Sequence, residues 1–268
     1  MSQRTLEAHY RPNWRLAQAH GLAGYNCGYA ERRGGDSFGD HQQALVWRLI
    51  GDTVIDSTTV VLDIGSGIGG PAGWIMRRYH PRRLIGVEYL WSSVTAASGG
   101  SGDSGPRPAF LQADAQRLPI ADGSVDVVFN LESALHYPDK AGFVGECRRV
   151  LRPGGTLCLG DITTDHRRLF STLSLLNKLP SQFNSNVKLW STDDYRRAFA
   201  VERLNVVRHE EASQPVANAL EDGLLEVRRR GWTASVGYRG RYLFLAILAR
   251  LLRRRNLKYD LFLVRRPA

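Results

Sequence analysis

Val60-Val61-Leu62-Asp63-Ile64-Gly65-Ser66-Gly67-Ile68-Gly69-Gly70 is an apolar strand running straight into closely spaced glycines. Glycine is needed where a ligand lies against bare backbone, because a side chain at the turn would block the approach. Gly65, Gly67 and Gly70 also satisfy G-x-G-x-x-G, the dinucleotide fingerprint, so the glycines alone leave two ligand classes open. Asp63 separates them. A carboxylate beside the turn repels a pyrophosphate and suits a ligand carrying an ammonium or a sulfonium. This electrostatic reading predicts S-adenosylmethionine (SAM) as cofactor, with S-adenosylhomocysteine left after transfer.

Around this stretch the pattern alternates between β and α. Pro71–Tyr79 reads as a helix with proline in its first turn, Leu84–Glu88 as a second strand and Trp91–Ala97 as a helix. Ala109–Gln112 and Val125–Asn130 read as strands three and four, Lys140–Leu151 as a helix stopped by Pro153-Gly154-Gly155, and Thr156–Asp161 as strand five. The helix Ser191–Phe199, the strand Glu202–His209, a helical stretch over 213–256 and the strand Lys258–Arg265 follow. Strands alternating with helices predict an α/β, Rossmann-like, doubly wound and mostly parallel seven-stranded sheet. Residues 1–45 lack a strand pattern and are expected to form an N-terminal cap of short helices. Residues 46–268 then form the main domain, with lid insertions near 163–190 and 211–256. Residues 98–105 are low in complexity and read as a surface loop.

The chain's 268 residues suffice for one such domain with insertions, and 43% hydrophobic with 23% charged residues is an ordinary globular composition. Cys27, Cys147 and Cys158 have no ligand-like spacing and are too few for a disulfide framework, which points to a reducing cytoplasm. The N-terminus lacks the apolar run of a signal peptide, so export is not expected. No segment reaches the roughly 18 to 20 apolar residues of a membrane span. The net charge of +10 invites an acidic partner. Much of the excess is a C-terminal run of arginines without interleaved aromatics, so a solvated basic face is favoured over nucleic acid.

In open α/β sheets ligands bind beyond the C-terminal strand ends, near the switch in strand order. Strand one ends in Asp63 and the glycine turn. Strand two ends in Glu88-Tyr89, 18 residues past Gly70, where a carboxylate can accept both hydrogens of a ribose diol and Tyr89 can flank the adenine. Strand three leads into Asp114-Ala115, where a carboxylate can accept from the adenine amino group. Strand four ends in Asn130-Leu131-Glu132, whose backbone can reach the ammonium. Each acid taken singly could instead be a helix or turn cap. Together, and in this order, they describe one cofactor cradle.

These residues carry a resemblance. Leu62-Asp63-Ile64-Gly65-Ser66-Gly67-Ile68-Gly69, Glu88, Ala113-Asp114-Ala115 and Leu151-Arg152-Pro153-Gly154-Gly155 resemble the class I SAM-dependent methyltransferase family over roughly residues 58 to 165. Leu131 to Tyr137 and Leu159-Gly160-Asp161-Ile162 are similar to small-molecule O-methyltransferases of antibiotic biosynthesis, including the erythromycin-type macrolide sugar enzymes. The resemblance also implies cofactor contacts from Tyr29 and Gln43, in a cap that closes over the cofactor.

Transfer to a hydroxyl needs in-line alignment, exclusion of water and removal of a proton. Histidine, with an unperturbed pKa of about 6.5, suits that last step. His136 follows strand four on the rim where the methyl should point. Asp161 ends strand five and could accept from its imidazole, fixing the tautomer. The bland alternative makes His136 a polar cap and Asp161 its loop's partner. The resemblance raises the catalytic reading, since a histidine of this segment is the proposed base in related sugar methyltransferases. Tyr137 reads as packing or substrate wall. His9, His20 and His41 lie in the cap, and His80, His166 and His209 read as solvated. No cluster has metal-ligand spacing, so no metal is expected, although some enzymes of the macrolide subgroup use magnesium.

The expected activity is therefore O-methylation of a small-molecule natural product, a sugar or polyketide hydroxyl. A carbon acceptor (prenyl, lipid or aromatic) and an RNA-binding or RNA-modifying protein are the alternatives. Self-association is left open. The 239–255 stretch reads as an amphipathic helix packed on the core.

Overall fold

In the computed structural model, residues 7, 26–99, 105–165, 188–231 and 236–268 are described. The cap before residue 26, apart from Glu7, most of the 98–105 loop and most of the 163–190 insertion lie outside them.

The chain runs α1 (Phe38–Ile50), β1 (Val60–Ile64), α2 (Gly70–Tyr79), β2 (Arg83–Glu88), α3 (Trp91–Ser98), β3 (Ala109–Gln112), β4 (Val125–Leu131), α4 (Lys140–Val150), β5 (Leu151–Thr163), α5 (Thr192–Val201), β6 (Asn205–Glu211), α6 (Ser213–Arg229), α7 (Val236–Arg253) and β7 (Lys258–Arg265). The seven strands form one sheet in the order β3-β2-β1-β4-β5-β7-β6. β1 to β5 pair in parallel, and β7 enters antiparallel between β5 and β6. The strand order reverses between β1 and β4, so the crevice there is where a ligand is expected.

β1 is apolar except for Asp63 because it is central and covered on both faces. One face packs Leu45, Leu49, Phe129, Cys158, Tyr259 and Leu261, with α1, α2, α6 and α7 supplying the covering side chains. The other packs Leu62, Val128, Leu159, Phe143, Tyr195 and Phe262. The alternation of Tyr259, Leu261 and Leu263 with Phe262 and Val264 along β7 is the period of two that a doubly covered strand requires.

Three expectations need correction. The boundary at residue 45 falls inside α1, a continuous 13-residue helix that starts at a Ser37–Asp40 capping box and stops at Gly51. β5 begins directly after α4: Leu151 pairs with Val125, residues 152–155 bulge out, and pairing resumes at Thr156–Val127. β6 starts three residues later than expected, because α5 runs to Val201 and Arg203 takes a left-handed φ of 52° before the strand.

Candidate active site

β1, β2, β4 and β5 end at the same edge, and their terminal residues converge there. The turn after β1 is tied down by the Gly65 and Ser66 N–H groups, both donating to Val87 O. Gly65 sits at φ +74°, and a Cβ there would collide with Ser133. Gly67, at φ +54°, faces open space. The turn is thus closed on the β4 side and bare on the ligand side.

Glu88 reaches back across this turn. Its Oε2 accepts from Gly67 N at 3.0 Å, and Oε1 accepts from Tyr89 N and Leu90 N at 2.8 and 3.0 Å. Burial pushes its carboxyl pKa up, against those three backbone donors, which pull it down. Asp63 is 2% exposed and its Oδ2 has no partner. Burial first, and the Glu88 charge second, push its carboxyl up to about 8. Asn130 is fully buried and donates through Nδ2 to Ile64 O at 2.8 Å, while its Oδ1 has no partner.

Two buried oxygens without donors, beside a bare turn, are costly unless a ligand supplies donors. A cationic amino-acid nucleoside supplies them. A pyrophosphate supplies only more negative charge. The residues present therefore fit SAM: Asp63 and Asn130 offer acceptors that would suit its positive end, Gly67 leaves open space beside the turn, and Glu88 retains lone pairs that would suit a ribose diol.

The other expected contacts divide. Tyr89 flanks this rim, 43% exposed, with its carbonyl accepting from Gln112. Asp114 is exposed and forms an Asx turn, its Oδ1 accepting from Gln116 N at 2.9 Å. Ala115 turns its methyl into the core. Tyr29 is directed elsewhere: its hydroxyl donates to Glu210 on the edge strand β6, and Arg48 covers its ring. Gln43 lines a groove of about 290 Å³ between α1 and α2, with Trp47, Trp74, Arg77 and Arg78. Tyr29 is thus turned toward β6, and Gln43 toward α2, the helix that follows the glycine turn.

His136 ends a 3-10 turn, Ala134–His136, between β4 and α4, and is half-buried. Asp161 is fully buried at the end of β5, but the expected bond to the imidazole is not formed. Its Oδ2 accepts from Lys140 Nζ at 3.1 Å and from the Tyr195 hydroxyl, and its Oδ1 has no partner. His209 is not solvated as expected. Arg196 donates to its Nδ1, so Nε2 carries the proton and donates to Asp260 at 2.8 Å.

Sequence reasoning missed several side chains here. Glu132, at φ +53°, accepts from Cys27 N and from the Tyr259 hydroxyl, tying the strap to β4 and β7. Burial pushes its carboxyl up. Ser133 donates to Ile64 O and exchanges a hydrogen bond with the Tyr137 hydroxyl. A Glu-Ser pair closing an apolar strand was a readable signal, but it was read for its backbone alone. Among the described residues no group of His, Cys, Asp and Glu could hold a metal ion.

Comparison with known proteins agrees with this geometry. Residues 62–159 match a family described as a methyltransferase domain. The chain is 38% identical over 104 residues to methyltransferase GfsG of Streptomyces halstedii, covering 38% of this chain and 37% of that protein. It is 36% identical over 104 residues to erythromycin 3''-O-methyltransferase of Saccharopolyspora erythraea, covering 38% and 34%. The matched part thus spans less than half the length of these curated relatives. The solved mycolic acid cyclopropane synthase CmaA1, complexed with S-adenosylhomocysteine, shares the fold, with a TM-score of 0.81 over 99% of this chain and 98% of that one at 17% identity. Residues 62–159 thus match the methyltransferase domain family, and the chain as a whole shares the fold of a solved structure complexed with S-adenosylhomocysteine.

Proposed function

We propose that this protein transfers a methyl group from SAM to a hydroxyl of a small-molecule natural product, a sugar or polyketide hydroxyl, with His136 as general base. The observation that carries the reading is the half-buried His136 on the turn leaving β4, directly beyond the acceptor-rich cradle of Asp63 and Asn130. The similarity to erythromycin 3''-O-methyltransferase supports the acceptor class.

SAM supplies an electrophilic methyl when bound. The chain's residues do the rest. Asp63, Glu88 and Asn130 hold the cofactor, with Tyr89, Asp114 and Ala115 along the adenine side. The half-buried Tyr137 and the buried Leu135 wall the transfer path against water. His136 takes the proton of the acceptor hydroxyl. A second reading has a carbon acceptor, prenyl, lipid or aromatic. The reducing cytoplasm is the inferred compartment, since Cys27, Cys147 and Cys158 are buried thiols and form no disulfide among the described residues.

The test is incubation with methyl-13C SAM and a panel of hydroxylated sugars and polyketides, the products being located by mass spectrometry and NMR. The label is expected on oxygen. His136→Ala is expected to keep SAM binding and to lower turnover about a hundredfold to ten-thousandfold. Label on carbon, or undiminished turnover in that variant, overturns the base assignment.

A further inference from the structure

We propose that the outer face of the α6–α7 hairpin, where Leu225, Leu243 and Phe244 stand exposed among arginines, docks on an anionic lipid bilayer surface. The proposal goes beyond the methyl-transfer reading and needs neither the acceptor nor the base assigned above.

A surface helix packed on a core needs one apolar face, and α7 has two. Leu248, Ala249 and Leu252 are buried in the core, with Leu245 packed against it. On the other side Leu243 is 56% and Phe244 46% exposed. Leu243, Ile247, Arg250 and Arg254 follow at i, i+4, i+7 and i+11, the spacing of one helical stripe that ends just past α7. That stripe is apolar at its start and cationic at its end.

α6 extends the patch. At the end of α7, Arg253 donates to Gln214, Asn218 and Glu221 in the first half of α6, so the two helices run antiparallel. Leu225 follows Glu221 by four residues on the same side of α6, which brings it level with the middle of α7. It is 37% exposed. Arg228 and Arg229, three and four residues further on, are exposed as well.

Charge selects the partner. α7 contains no acidic residue, and the acids of α6 are already engaged: Glu221 with Arg33 and Arg253, Asp222 with Gly34 N, Glu226 with Arg230. Arg228, Arg229, Arg250 and Arg254 are exposed and form no ion pair among the described residues. A second copy does not suit this face, because a two-fold contact would set the arginines of both copies against each other. RNA does not suit it either, since Leu225 and Leu243 are aliphatic and one phenylalanine is no stacking platform. An anionic bilayer satisfies both features at once. Its phosphate headgroups take the guanidinium groups, and the apolar side chains enter the boundary with the acyl chains. No helix among the described residues is long and apolar enough to cross a membrane, so α7 would lie on the surface.

The test is sedimentation of the whole protein with vesicles of phosphatidylcholine, with and without phosphatidylglycerol. Binding is expected to the mixed vesicles and to be weaker by about tenfold or more to phosphatidylcholine alone, since each arginine near an anionic surface is worth about fivefold. Leu243→Ser and Phe244→Ser are each expected to weaken it about fivefold, the loss of part of one buried apolar side chain. Arg250→Gln combined with Arg254→Gln should cost about tenfold or more. These positions are exposed, so the variants should keep the parent's melting temperature and SAM affinity, and Leu225→Ser on the other helix gives an independent reading. Failure to bind the mixed vesicles overturns the proposal. So does binding that the arginine substitutions abolish and every apolar substitution leaves unchanged, which is how a solvated basic face would behave. Self-association without lipid that Leu243→Ser abolishes, followed by analytical ultracentrifugation, would assign the face to a second copy and overturn it too. None of these outcomes bears on methyl transfer, which the labelling experiment decides separately.

Discussion

At Asp63 the chemistry of the site becomes a measurable pH dependence. The folded protein holds this carboxyl up near 8, whereas an unfolded aspartate titrates near 3.9. Between those values the folded state binds more protons than the unfolded one, so its contribution to stability falls as pH rises. Glu88 is shifted in the same direction. Asp260 opposes them: against burial, His209, Thr163 and Thr192 hold its carboxyl low, and the stability it contributes is lost toward acid. Ligand-free protein is therefore expected to lose melting temperature between pH 5 and 8, and Asp63→Asn to flatten that slope. A cationic ligand beside Asp63 should expel its proton. Calorimetry at about pH 7 in buffers of different ionisation heat should detect proton release on SAM binding, absent in Asp63→Asn. Equal heats in both buffers would remove the electrostatic argument. Gly65→Ala should cost about 1–3 kcal/mol from left-handed strain alone, with collision against Ser133 added, read as a lower midpoint in urea. Asp63, Gly65, Gly67 and Glu88 were legible because one strand–turn–helix unit and its neighbouring strand fix them locally. The partners of Tyr29 and Asp161 were not, because contacts between elements distant in sequence decide them.

The elements that sequence located best, β1, β3 and β7, are apolar runs bounded by polar turns, where period and burial agree. Boundaries drifted where local signals competed. Pro153-Gly154-Gly155 reads as a stop, yet the sheet tolerates it as a bulge because pairing with β4 resumes at Thr156. The antiparallel entry of β7 between β5 and β6 has no local signature, since its register is set by both neighbours at once. α1 was underestimated although its signature was present: Ser37 accepts from Asp40 N while Asp40 accepts from Ser37 N. That box begins the helix carrying Gln42, which donates to Asn26 O at 2.9 Å and so anchors the strap that Glu132 grips at Cys27. Ser37→Ala is expected to cost about 1 kcal/mol in denaturant unfolding. It should also raise amide exchange at Cys27 and Gly28 before it affects β1. Uniform exchange across strap and sheet would show that α1 does not hold the strap.

Charge decides a question at the scale of the whole molecule. A net +10 from 36 basic and 26 acidic residues would suit a polyanion, but many arginines are already spent on acids within the fold. Arg33 pairs with Glu221 and Asp222, Arg48 with Glu210, Arg149 with Glu146 and Asp122, and Arg253 with Glu221. Arg77, Arg78, Arg82 and Arg83 are exposed, and none forms an ion pair among the described residues. Arg78 lies over the Trp47 ring at 4.7 Å, so the rim combines cations with an aromatic face. These four sit at the far end of α2 from the glycine turn, a helix about 15 Å long by its rise. Any affinity for single-stranded RNA is therefore expected to reside at this rim and to leave the cofactor site alone. Four phosphate contacts give a log–log salt slope of about −3, so binding should fade before physiological ionic strength. Filter binding across a salt series should show that slope, Gln at all four positions should abolish it, and S-adenosylhomocysteine should not compete. Competition by the nucleoside, or a much steeper slope, would mean that RNA reaches the switch-point crevice, and the small-molecule acceptor reading would give way to RNA modification.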